Sequence, residues 1–101
     1  MVRVLVCYNL KPEQNIAEYE KWLMESHYPE MKKIPGAKNP KITKVNTVMQ
    51  GTFPYQYMAE IWMDNEMAVM NAAASAEMQQ MMAQWTPKVA NFNIVLTKEL
   101  E

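Results

Sequence analysis

Glycine is nearly absent from this 101-residue chain: Gly36 and Gly51 are the only two. A phosphate-cradling loop needs several glycines close together, so mononucleotide and dinucleotide loops of that kind are excluded. Cys7 is the single cysteine, which excludes an internal disulfide and a thiolate zinc site. There is no excess of positive charge either: the formal net charge is −1, too little to grip a nucleic-acid backbone. Lys32, Lys33, Lys38, Lys41 and Lys44 do cluster, and a solvated edge or loop accounts for them. No apolar run approaches the roughly 20 residues that span a bilayer. The opening Val2–Val6 run is quickly followed by Asn9 and Pro12, too soon for a signal peptide, so the expectation is a cytoplasmic protein with no membrane or nucleic-acid partner.

What is present is half apolar, with eleven methionines, and reads as one globular domain over residues 1–101. Residues 2–9 are valine-rich and predict a strand. Asn15 with Glu18 three positions on resembles a capping box, and Ile16, Tyr19, Leu23 and His27 then recur on one helical face. That helix is expected to end at or just before Tyr28, because a residue preceding proline is pushed out of the α region. Residues 38–48 and 55–63 predict two further strands, joined by a connection short enough for a hairpin. Pro40 sets the start of the first of them at an edge. Asp64 is the expected cap of a helix over 65–73 and Ser75 of the next. In that second helix Met78, Met81, Met82, Trp85 and Val89 share a face until Pro87 ends or kinks it. Residues 92–98 form the last strand. The order βαββαβ predicts an α+β, ferredoxin-like fold: a four-stranded antiparallel sheet with helices on one face. In the third strand Tyr57, Ala59, Ile61 and Met63 alternate with Gln56, Met58, Glu60 and Trp62. The first set suits helix packing; the second needs another cover, and a second copy of the chain is the simplest.

Chemistry-bearing residues are few. His27 is the only histidine and the only side chain whose ordinary pKa lies near neutrality. Placed at a helix exit beside an apolar face, it is a candidate acid–base residue, or else a cap on a terminal carbonyl. Glu60 lies inside a strand, where a lone carboxylate is costly; it is an interface ion-pair partner, or a base that orients His27. Tyr8 and Trp62 are candidates to line a pocket for a flat apolar ligand, with core packing as the alternative. Cys7 alternates with Tyr8, lacks an activating neighbour and reads as inert. The methionines, at helical spacing, are adaptable core filler rather than a metal box.

Tyr19-x-x-Trp22, His27-x-Pro29, Lys33-Ile34-Pro35-Gly36, Pro54-Tyr55 and Ala59-Glu60-Ile61-Trp62-Met63-Asp64 occur in an order, together with Asn91-Phe92, that resembles the EthD family. That family takes its name from ethyl tert-butyl ether degradation and belongs to the dimeric α+β barrels. The chain departs from its pattern at Met63, where an aromatic is typical, and at Ala76, where a proline often opens the helix. The resemblance implies ferredoxin-like protomers paired into a barrel. It implies an EthD-like function: a small, cofactor-independent enzyme, an oxidoreductase of monooxygenase type, an isomerase or a cyclase, acting on an apolar or aromatic metabolite in catabolism. The alternative is a non-catalytic small-molecule-binding or accessory protein of such a pathway. The His-x-Pro match points to His27 as the acid–base residue.

Overall fold

Apolar side chains turned to one face along β-strand segments build the sheet, most regularly in the stretch Tyr57–Met63. The computed structural model describes residues 1–100. Its strands are β1 (Val2–Leu10), β2 (Lys38–Lys44), β3 (Tyr57–Met63) and β4 (Val89–Lys98), in the spatial order β2-β3-β1-β4 with every neighbouring pair antiparallel. This is the ferredoxin-like arrangement that the βαββαβ order predicts. Helices α1 (Ile16–Trp22), α2 (Tyr28–Met31), α3 (Glu66–Ala73) and α4 (Ala76–Trp85) lie on one side of the sheet. Tyr8, Tyr57, Ile61 and Met63 point toward them and are buried. The register then fixes the opposite face: Arg3 opposite Trp62, Leu5 opposite Glu60, and Cys7 opposite Met58.

Two caps form as the sequence predicts. The Asn15 side chain accepts from the Glu18 backbone N–H, and Ser75 Oγ accepts from that of Met78. The third cap sits one residue later than expected. Asn65, not Asp64, accepts from the Ala68 N–H, because Asp64 is drawn instead to Lys38 Nζ at 2.6 Å. The link between β2 and β3 is also longer than a tight hairpin. Regular pairing stops at Lys44 opposite Tyr57, leaving residues 45–56 as a loop. β4 begins at Val89, earlier than predicted, because a bulge at Asn91 (φ 56°) absorbs the irregularity between Cys7 and Asn9 on β1.

The largest departure is at Pro29. The first helix does not end before it. Tyr28 stays helical (φ −60°, ψ −44°), and the chain runs from α1 through a π-helical turn, Leu23–His27, directly into α2. The Tyr28 N–H bonds the Leu23 carbonyl five residues back. This wider turn relieves the clash that a proline ring would make in an α-helix, so Pro29 is accommodated rather than terminating. His27 therefore sits inside a continuous helical run and is not a C-terminal cap.

The interior divides into two clusters. One is aromatic and gathers Tyr8, Tyr19, Tyr57 and Trp85 with Leu10, Leu23 and Val89. The other holds Met31, Ile34, Ile61, Met63, Ala72 and Met81.

Candidate functional site

Between the sheet and the helices, next to the methionine cluster, lies a cavity of about 260 Å³. β1 contributes Val4 and Val6, β3 contributes Ile61 and Met63, α2 contributes Met31, and α4 contributes Met78, Met81, Met82 and Trp85. The walls are almost wholly apolar, as small-molecule pockets tend to be. His27 is the exception.

The π turn aims His27 into this space. An extra residue in the turn shifts everything after it around the helix axis, carrying the imidazole over the sheet between two indoles. The Trp22 ring centroid is 5.3 Å away and that of Trp85 6.2 Å, the latter nearly parallel. Only 6% of His27 is exposed. Among the described residues no side chain hydrogen-bonds its ring, yet neither ring nitrogen is sealed off. Burial pushes the imidazole pKa down to about 4, against a weaker upward pull from the Glu30 carboxylate. The ring is neutral at pH 7, with one donor and one acceptor, and none of the described residues engages either. The predicted pull of a helix C-terminus toward the charged form is missing, because α2 carries the helix past His27.

The aromatic cluster holds Trp85 in place beside it. Trp85 Nε1–H donates to Tyr19 Oη at 3.2 Å, and Tyr19 O–H donates to Tyr8 Oη at 2.8 Å. Tyr8 also stacks on Tyr57, 5.3 Å between centroids. Burial raises the pKa of both Tyr8 and Tyr19, so these hydroxyls stay protonated in the neutral range.

The structure separates the four residues singled out from the sequence. His27 faces the cavity. Tyr8 shares its side of the sheet but is packed into the aromatic cluster with its hydroxyl taken up by Tyr19, and it does not line the cavity. Trp62 lies on the opposite face, where Arg3 sits 5.9 Å over its ring. Glu60 borders the cavity through its place in the strand, but its carboxylate is on the far face with Trp62 and Arg3. It accepts from Trp62 Nε1 at 3.2 Å and lies 3.8 Å from Arg3 Nη1. Glu60 and His27 thus do not converge: strand alternation turns a residue between Ala59 and Ile61 away from the helices. Cys7 is on that same far face, with its thiol pKa raised by burial. Trp22 beside His27, and Trp85 with the methionines along the cavity wall, are not singled out by the sequence as site candidates; there the methionines read as core filler. The helical spacing of Met78, Met81, Met82 and Trp85 already put them on one face, but nothing in the sequence marked that face as hollow.

Among the described residues no group of three or more His, Cys, Asp and Glu is placed to hold a metal ion, and no helix is long and apolar enough to cross a membrane. No curated protein matches the chain. The family model described as REDY-like protein HapK matches residues 2–100. Solved structures of the same fold include an EthD family protein from Bacillus halodurans, 18% identical, with 99% of this chain and 100% of that one covered and a TM-score of 0.76. HapK from Hahella chejuensis is 13% identical over 99% and 93% of the two chains, with a TM-score of 0.79. A dimeric protein of unknown function with a ferredoxin-like fold from Bacteroides fragilis is 16% identical over 97% and 95%, with a TM-score of 0.72. The resemblance to EthD read from the sequence is met at the level of the fold.

Proposed function

This chain belongs to the REDY-like HapK family, and from that membership we propose that it binds a small, neutral, largely apolar molecule between sheet and helices and moves a proton on it through His27. One observation carries the reading: a buried imidazole, 6% exposed and without a hydrogen-bond partner among the described residues, faces an apolar cavity of about 260 Å³. Its ring nitrogens are open to the cavity and not sealed off, so a donor and an acceptor are free to meet a ligand there. No Lys or Arg lines the cavity, so a carboxylate or phosphate would meet no countercharge there. The neutral ring accepts a proton from an acidic carbon or hydroxyl and returns it elsewhere on the same molecule, which is the chemistry of isomerisation and ring closure. Trp22 and Trp85 fix the plane of the ring.

Thermal-shift screening against neutral aromatic and lactone compounds tests the reading. A ligand at a hundred times its Kd adds about 2.7 kcal/mol to stability. That gain should shrink in His27→Phe. His27→Gln should slow turnover of the bound compound by about 10² to 10⁴. Stabilisation by carboxylates or phosphates alone would overturn it.

A second reading is an accessory binding protein, and the position of Glu60 favours it. With that carboxylate on the far face, His27 has no second acid or base opposite it. Binding that leaves the compound unchanged, equally in wild type and His27→Gln, would select this reading.

The far face supports self-association. Leu5, Met58, Trp62 and Val95 lie there with Arg3, Lys41 and Glu60, a surface carrying both signs of charge. Such a face is self-complementary across a two-fold axis. A homodimer in which the faces bearing Met58 and Trp62 meet predicts a dimeric mass by light scattering.

A further inference from the structure

Five methionines line the cavity: Met31, Met63, Met78, Met81 and Met82. Helical spacing alone marks such side chains as core filler. The fold adds what the spacing lacks, a nitrogen donor. His27 is 6% exposed, faces the same space and is engaged by none of the described residues. Two helices bring the donors together. Met31 stands four residues after His27 on one continuous helical run, a spacing that sets side chains side by side on one face. Met81 stands four residues before Trp85 on α4, and the Trp85 ring lies 6.2 Å from that of His27. Met31 and Met81 pack in one buried cluster, 3% and 8% exposed. Each thioether turns on three rotatable bonds beside unfilled volume, so its sulfur can close on a guest without moving the backbone.

We propose that the His27 imidazole and the thioethers of Met31 and Met81 bind one soft monovalent cation, copper(I). The choice of metal follows from the donors. Thioether sulfur with imidazole nitrogen selects copper(I), whereas zinc takes thiolate, imidazole and carboxylate, and calcium and magnesium take oxygen. Among the described residues no carboxylate reaches the cavity, since Glu60 turns its oxygens to the far face. An unligated charge in an apolar cavity is costly, and direct coordination offsets that cost. The Glu30 carboxylate favours positive charge at the ring. The imidazole is already neutral at pH 7, so the metal has no proton to displace. Coordination takes up a ring nitrogen that a neutral ligand would meet. The metal site therefore goes beyond the binding reading above and does not depend on it.

Silver(I), air-stable and of the same class, is the first probe, added as the nitrate in chloride-free buffer. Cys7→Ser is the background for every measurement, because the free thiol would also take silver. With isotope-labelled methionine methyl groups, one equivalent of silver should shift the Met31 and Met81 signals. Those of Met67 and Met70, both 67% exposed on α3, should stay in place. Copper(I), supplied as its acetonitrile complex under nitrogen, should move the same signals. Losing only the hydrogen-bond partner behind a ligand costs about 10- to 100-fold in metal affinity, so His27→Phe, Met31→Leu and Met81→Leu should each weaken silver binding at least about tenfold. Met67→Leu should leave it unchanged. Leucine keeps the core volume, and urea unfolding of each metal-free variant shows that it is folded. Signals of the exposed methionines moving first, or silver affinity unchanged in His27→Phe, overturns the site. Silver shifts without copper(I) shifts, or equal shifts with zinc, overturn the choice of metal. A chain that binds silver at His27 but no neutral organic compound keeps the metal site and loses the binding reading. A chain that binds 2-naphthol and no silver does the reverse.

Discussion

The two halves of the interior use apolar bulk in opposite ways. In the aromatic half every polar atom on the rings is committed: the indole of Trp85 to Tyr19, and the Tyr19 hydroxyl to Tyr8. The Tyr57 hydroxyl donates to Glu20, which Lys44 also holds. The rings meet stacked or edge-on at 5.0 to 6.4 Å between centroids around Tyr8. The methionine half has no such network. Its side chains are flexible, and it leaves a cavity unfilled. Satisfied polar rings specify one packing, whereas thioether chains tolerate several. One half of the protein is a frame and the other an adaptable wall, and His27 stands where they meet.

Removing the frame should cost most. Trp85→Ala deletes a fully buried ring that touches Tyr8, His27 and Phe92 and leaves the Tyr19 hydroxyl without its donor. Truncations of this kind cost about 3–5 kcal/mol, a large share of the stability of a domain this size. Urea unfolding should show that loss, with the midpoint falling steeply. A loss below 1.5 kcal/mol, on the order of a tolerated core swap, would mean that the aromatic half adapts as readily as the methionine half.

How much of this was legible in the sequence differs between the halves. The strand order, the faces of β3, the caps at Asn15 and Ser75 and the shared face of Met78, Met81, Met82 and Trp85 all follow from local patterns, because each depends on neighbours within a turn or two. The continuation through Pro29 was not legible, since the rule for residues before proline describes the α-helix and the chain used a π turn. The cap shifted from Asp64 to Asn65 because Lys38, distant in sequence, competes for the aspartate. Glu60 was a different kind of failure. Its alternation with Ala59 and Ile61 already turned it from the helices, and joining it with His27 required overriding that parity. The cavity itself has no sequence signal, because a void is set by how side chains of several elements fail to fill space.

At the junction of the halves the expected effect is smaller and depends on pH. The folded pKa of His27, about 4, lies below its ordinary 6.5. Above pH 6.5 both folded and unfolded chains hold the ring neutral, so His27 contributes no slope there. As pH falls from 6.5 to 4 the unfolded chain takes up the proton first, and stability drops; below about 4 the loss levels off. Linkage puts the total at roughly 3 kcal/mol. Chemical denaturation of wild type and His27→Phe across this window isolates the effect, because the difference between them should grow as pH falls. A parallel decline in both proteins would mean that the imidazole reaches water easily and the cavity wall is not dry.

The smallest effect sharpens the comparison most. Tyr19→Phe and Met81→Leu each change little volume, one in each half. Tyr19→Phe removes the acceptor for the Trp85 indole and the donor to Tyr8, leaving buried polar atoms unpaired. An unsatisfied buried group costs about 1–3 kcal/mol. Met81→Leu removes no hydrogen bond and alters a wall that already borders empty space, so its cost should stay under about 1.5 kcal/mol. The two variants should also differ in what they do to a ligand. Tyr19→Phe frees Trp85 to move against His27, and should weaken the discrimination between a ligand that hydrogen-bonds the imidazole and its apolar isostere. Met81→Leu should change the preferred ligand shape and leave that discrimination alone. Binding of 2-naphthol and naphthalene to both variants, beside urea unfolding, measures each effect. If Met81→Leu is the costlier substitution, or abolishes the preference for the hydroxyl, the methionine half is the frame and the division drawn between the halves is reversed.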